Sequence, residues 1–202
     1  MKKFKLFIDV EKEEDWLNEM IRKGWLCQRV GMFGSYRFIK SSAVSHVIRL
    51  DHQTFKNKAD FLSYKTLYED YGWKHIAGTK MSHTQYWMGE PDGDTELFSD
   101  LSSQISYYKR LMNYNGFFMV FILFFIMMFY SDKNFEAVWN PKAAYYTQGL
   151  WEMENPQFIL GFLFETPFAL MRFLSPWIMI ICGIIFVLTY RKYAKKVKEL
   201  SS

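Results

Sequence analysis

Four histidines, His46, His52, His75 and His83, are the side chains of this sequence best suited to hold a metal or move a proton near neutral pH. Their spacing matches neither the HExxH helix of a zinc enzyme nor the paired ligands of a structural zinc site. His46 and His52 instead flank the apolar run VIRL, which reads as solvated strand-end histidines. The run EKEED puts Glu11, Glu13, Glu14 and Asp15 close together, as paired carboxylates or a calcium loop would. It lacks the ligand spacing of an EF-hand and sits where a helix begins, a place whose dipole favours acids, so a solvated helix start is expected. GMFG holds too few glycines, too far from a helix start, to cradle a phosphate. No catalytic constellation, metal site or cofactor follows, and the expectation is a protein that is not an enzyme.

The remaining chemical signal is aromatic, since a fifth of the residues are Phe, Trp or Tyr. Tyr36, Phe38, Tyr64, Tyr86 and Trp87 form a candidate groove, where apolar walls and a few polar tips suit a small ligand. The competing reading is ordinary core, because a small sheet must use large side chains to bury enough area.

Positioning those residues requires two kinds of element. The stretch LMNYNGFFMVFILFFIMMFY, 111–130, carries no charge, and about 20 helical residues at ~1.5 Å each cover a hydrocarbon core of ~30 Å. LSPWIMIICGIIFVLTY, 174–190, is a second uncharged run that borrows length from FALMRF, placing Arg172 near an interface. Two transmembrane helices are therefore expected. Lys109 and Arg110 precede the first, and Arg191, Lys192, Lys195, Lys196 and Lys198 follow the second, so the positive-inside rule puts both termini in the cytoplasm of a multi-pass cell-membrane protein. The N-terminal stretch has no apolar core of signal-peptide length. Cys27 and Cys182 then fall in different compartments and make no structural disulfide.

The soluble part can be laid over itself. KFKLFIDV, EEDWLNEMIRKGW, LCQRVGMF and SYRFIKS are followed by SHVIRLDH, ADFLSYKTLYEDYGW, KHIAGTKMS and TQYWMGE, each half reading strand, helix, strand, strand. Gly24 and Gly72 end their helices in the left-handed conformation, with Trp25 and Trp73 as the hydrophobic contact sealing each end. The expected fold class is α+β: a duplicated β-α-β-β cytoplasmic domain with antiparallel sheet over 1–103, then two transmembrane helices. A connector and first span take 104–130, an extracytoplasmic segment 131–167, the second span 168–190 and a basic cytoplasmic tail 191–202. PDGD, 91–94, reads as a turn out of the domain, and the tail as a contact for anionic headgroups. The first 110 residues hold 17 Lys or Arg against 15 Asp or Glu, interspersed, so direct nucleic-acid binding is not expected.

KFKLFIDVEKEEDWLNEMIRKGWLC, a Tyr-x-Phe strand and YEDYGWKHI together resemble a bacterial domain-of-unknown-function family, number 2812, over the soluble domain. The resemblance implies accessory membrane proteins with two C-terminal spans, encoded near PadR-like repressors, and names no activity. In element order the repeat is also similar to the GyrI-like effector-binding fold, whose paired units bind hydrophobic cations; that likeness transfers no residues. The expected function is a non-enzymatic, membrane-anchored cytoplasmic sensing or protein-interaction module that binds a small apolar ligand or a regulatory partner. The alternative is an immunity or transport-accessory protein acting through its spans, as an oligomer. The expected partners are the lipid bilayer and that protein or ligand.

Overall fold

The computed structural model describes residues 1–31, 34–41, 46–89, 97–98, 100–129 and 132–202. Two compact units divide the chain: residues 1–112 with 192–202, and residues 113–191.

In the first unit the order is β1 (Lys2–Phe4), α1 (Val10–Arg22), β2 (Trp25–Gly31), β3 (Ser35–Lys40), β4 (Val47–His52), α2 (Lys58–Asp70), β5 (Lys74–Ala77) and β6 (Thr84–Gly89). Two three-stranded antiparallel sheets result, ordered β1-β3-β2 and β4-β6-β5. The class is thus α+β with antiparallel sheets. The opening strand is shorter than its alternation implies, because Asp9 already caps α1 by accepting from Glu11 N at 3.1 Å. Val10, Leu17, Met20 and Ile21 recur at helical spacing and face inward, whereas no residue of α2 is fully buried. Gly24 and Gly72 follow the helices with φ of +77° and +83°, a region that costs glycine little.

The core draws on more of the chain than the soluble stretch alone. Leu17, Phe38, Ile48 and Leu50 pack in one cluster with Tyr107, Leu111 and Tyr193, each at most 6% exposed. Residues 104–112, within the expected connector and first span, and 192–202, within the tail expected to contact headgroups, are therefore structural parts of this unit. The turn expected at 91–94 lies outside the described residues.

Among the described residues, two helices are long and apolar enough to cross a membrane: α3 (Leu101–Phe129) and α5 (Gln157–Leu200). At ~1.5 Å per residue α5 is roughly 66 Å long, twice a hydrocarbon core, so only part of it is needed to span one. In the second unit Phe118 stacks on Phe186 at 5.3 Å, and Gly116 lies beside the Tyr190 ring. Between the apolar runs lie α4 (Asp132–Trp139) and two short 3-10 turns, Pro141–Ala144 and Leu150–Glu152. Glu165 of α5 accepts from the backbone N–H groups of Tyr146 and Thr147 and pairs with Arg172 at 3.1 Å, so the charge of Arg172 is neutralised within the helix. α5 begins at Gln157, so the end of the expected extracytoplasmic segment, 157–167, is helical and continuous with the run expected as the second span.

Candidate functional site

The acids that open α1 are not a solvated helix start. Glu13 sits on the apolar stripe, three residues after Val10 and four before Leu17, and is 7% exposed. One of its oxygens, Oε1, accepts from Tyr36 on β3 at 2.7 Å and from Tyr86 on β6 at 2.6 Å, a hydroxyl from each sheet. Burial raises its carboxyl above the ordinary range, and the two hydroxyls only partly oppose that shift. Glu14 accepts from Arg49 Nη1 at 2.7 Å and from Leu50 N at 2.8 Å, and burial raises it as well.

Asp9 and Glu11 hold the end of α5. Lys192 Nζ lies 2.6 Å from Asp9 Oδ2 and 2.7 Å from Glu11 Oε2. Tyr193 donates to Asp9 Oδ1 at 2.8 Å while its oxygen accepts from Val10 N at 3.1 Å, and Lys196 also reaches Glu11. Tyr108 of α3 donates to Glu11 Oε1 at 2.9 Å. Desolvation pushes both carboxyls up, but the Lys192 ammonium and the surrounding donors outweigh it and hold both below the ordinary value. A cavity of about 240 Å³ opens beside this clamp, lined by Glu11, Glu14, Arg49 and Leu50 on one side and by Leu97, Phe98, Gln104, Tyr107 and Tyr108 on the other. Glu11 and Tyr108 thus belong both to the cavity wall and to the clamp.

The aromatics expected to wall a groove lie elsewhere. Tyr36, Phe38, Tyr86 and Trp87 are buried: β3 and β6 are the central strands of their sheets, with Tyr36, Phe38 and Tyr86 in the core cluster and Trp87, on the opposite face of β6, covered by Tyr64 and Tyr68 of α2. Tyr64, half-buried on α2, donates to Asp51 at 2.9 Å and accepts from Trp87 Nε1 at 2.9 Å. They are packed core and an internal polar network, not an open wall. Of the helix-end pair, Trp73 is buried and donates from its backbone to Tyr68 O at 3.0 Å, whereas Trp25 is half-buried and begins β2. His52 is not a solvated strand end: it is 4% exposed, and burial beside His83 and Arg110 lowers it to about 4.

Sequence reading missed the clamp because a basic segment after a span is read by default as a headgroup contact. Tyr193 was the available signal, an aromatic placed between Lys192 and Lys196. Glu13 was legible in principle, since it interrupts an otherwise apolar helical stripe.

No curated protein and no solved structure matches the chain. A family model does match, over residues 9–122, more than half of the chain. That span takes in Asp9, the acids of α1, strands β2 to β6 and α3 as far as residue 122, and the chain belongs to DUF2812, a family described as protein of unknown function.

Proposed function

We propose that this chain is a non-enzymatic, membrane-anchored sensing or protein-interaction module, in which what occupies the cavity beside Glu11 is coupled to the two apolar helices. The observation that carries the reading is the double duty of Glu11, which lines the cavity and also holds Tyr108 of α3 and Lys192 and Lys196 of α5. An occupant that competes for this carboxylate alters the hold on the cytoplasmic ends of both helices, and differential affinity for held and released ends is what moves such an equilibrium. Glu14 is already paired with Arg49 of the same lining, so the Glu11 carboxylate and three aromatic rings favour a small apolar body with a positive charge that competes with Lys192 and Lys196, or the equivalent side chain of a partner protein. The cavity is smaller than the ~300–1,000 Å³ of common drug-sized pockets, which favours a small occupant.

The rest of the reading has separate support. Residues 1–112 and 192–202 share one compact unit, which favours two spans with both termini on the same side. The matching strand orders, with Tyr36 and Tyr86 meeting one carboxylate, favour a duplicated β-α-β-β unit.

The test uses the full chain in nanodiscs with benzyltrimethylammonium as probe. Amide exchange in residues 101–112 and 190–200 should change on addition of probe, and the change should vanish in Glu11→Gln. Exchange that is unaffected by saturating probe, or affected equally in the variant, refutes the coupling.

A further inference from the structure

Charges that are interspersed along the sequence are gathered by the register of the first sheet. Antiparallel pairing sets Lys2 of β1 opposite Arg37 of β3, and Arg37 opposite Arg29 of β2, so three cations stand in one cross-strand row. All three are exposed. The three strands hold five basic residues and no Asp or Glu, and Lys2, Arg29 and Arg37 have no carboxylate partner among the described residues. Like charges placed directly across strands destabilise a sheet, and an anion bound along the row would relieve that repulsion.

The neighbouring row is open and adhesive. Phe4, Ser35 and Gly31 align across the same strands, and a depression of about 270 Å³ is lined by these three, the cationic row and Tyr36. A side chain at Gly31 would meet Ser35 Oγ at 2.5 Å, so glycine there leaves the hydroxyl accessible. Phe4 and Leu6 stand in solvent at 77% and 78% exposure. By contrast, the outer side of the second sheet is covered by α2, whose Tyr68 stacks on Trp87 at 4.8 Å.

We propose that this outer face is a binding site for phosphate-bearing anions, and that its occupant is the headgroup layer of an anionic phospholipid surface. The cationic row and Ser35 hydroxyl match phosphate oxygens, and Phe4 and Leu6 supply the apolar contact that a soluble phosphate would leave unused. The inference is independent of the cavity beside Glu11.

The experiment titrates the full chain in neutral maltoside micelles with dihexanoyl-phosphatidylglycerol, dihexanoyl-phosphatidylcholine, inorganic phosphate and a short single-stranded uridine oligonucleotide. Phosphatidylglycerol should bind ~10-fold or more tightly than phosphatidylcholine, and the triple variant K2Q/R29Q/R37Q should lose that advantage. The triple variant should also unfold at no lower denaturant than the parent, since it relieves repulsion on an exposed face; a lower midpoint with intact lipid preference would count against the site. Phe4→Ser should weaken phosphatidylglycerol and leave the weak affinity for inorganic phosphate unchanged. Equal binding of the two lipids, or a triple variant that retains the preference, overturns the proposal. Inorganic phosphate binding as tightly as the lipid would reassign the site to a free anion, and tighter oligonucleotide binding through the same three residues would reassign it to nucleic acid.

Discussion

Asn18 on α1 completes the outer edge of β4: its Nδ2 donates to Ile48 O at 2.9 Å and its Oδ1 accepts from Ile48 N at 2.8 Å. One side-chain amide thereby occupies the donor and the acceptor that a further strand would take. Glu14 continues the edge by accepting from Leu50 N at 2.8 Å. An edge strand presents unpaired backbone groups that invite pairing with other chains, and here a helix covers them.

Removing that amide should therefore have two effects. Asn18→Leu fills similar space but strands the Ile48 backbone groups, at about 1–3 kcal/mol for buried polar groups left unpaired. The variant should unfold at lower denaturant, and its Ile48 amide should exchange faster than its neighbours. A stable variant with an unchanged Ile48 exchange rate would show that water replaces the amide at no cost.

The buried carboxyl between Tyr36 and Tyr86 predicts a pH dependence of definite sign. Burial raises Glu13 above its ordinary value of 4.5, so the folded chain keeps a proton that the unfolded chain has already released. The stability this group contributes is full below 4.5 and declines as pH rises toward the raised folded value. Glu13→Gln keeps an oxygen for both hydroxyls and cannot ionise, so its denaturation midpoint should be flatter across that window and no lower than the parent's at pH 7. A parallel pH profile in the variant would mean that Glu13 is ionised in the fold without penalty.

Cys27 predicts slow chemistry. It is buried, and desolvation pushes its thiol up to about 12. Because the thiolate is the reactive form, N-ethylmaleimide at pH 8 should modify Cys27 in a Cys182→Ser chain ~100-fold or more slowly than a free thiol, until denaturant exposes it. Prompt labelling of the folded chain would contradict its placement in the core.

How much of this was legible in the sequence depends on whether a signal is local. The order strand, helix, strand, strand and the two apolar helices follow from periodicity and length, which a single pass along the chain detects. Gly24 and Gly72 adopt positive φ as helix-end glycines do. Tyr36, Phe38, Tyr86 and Trp87 were legible as aromatics on strands, but which side of a sheet they face depends on register and on what covers it, which is a tertiary property. The clamp was invisible for a related reason: Asp9 and Tyr193 are 184 residues apart, and no local pattern links an acid at a helix start to a tyrosine after a span. The row of Lys2, Arg37 and Arg29 likewise exists only once three strands are paired.

The clamp itself can be separated into its packing and its polar contacts through Tyr193. This side chain is fully buried, donates to Asp9 and accepts from Val10 N, so two hydrogen bonds and one large ring act at a single position. Tyr193→Phe keeps the ring and removes the hydroxyl, which leaves Asp9 Oδ1 and Val10 N short of a partner at about 1–3 kcal/mol. Tyr193→Ala also opens a cavity, and large aromatic truncations cost about 3–5 kcal/mol. Both losses should be read in the full chain, because Tyr107, Leu111 and Tyr193 belong to the same core cluster and a fragment ending before them lacks part of its interior. Acid provides the second axis. Asp9 is held below its ordinary value of 3.8, so the stability it contributes is present above that value and is lost as pH falls through the lower folded one. Tyr193→Phe removes one of the donors that keep the Asp9 carboxylate ionised, so the folded value rises toward the unfolded one, and the loss of stability on acidification should be smaller than the parent's and complete at a higher pH. The measurement is the denaturation midpoint of both variants and the parent at pH 7 and at steps down to pH 3. A Phe variant as stable as the parent at every pH would leave Tyr193 as packing alone and would place the hold on α5 entirely in Lys192 and Lys196.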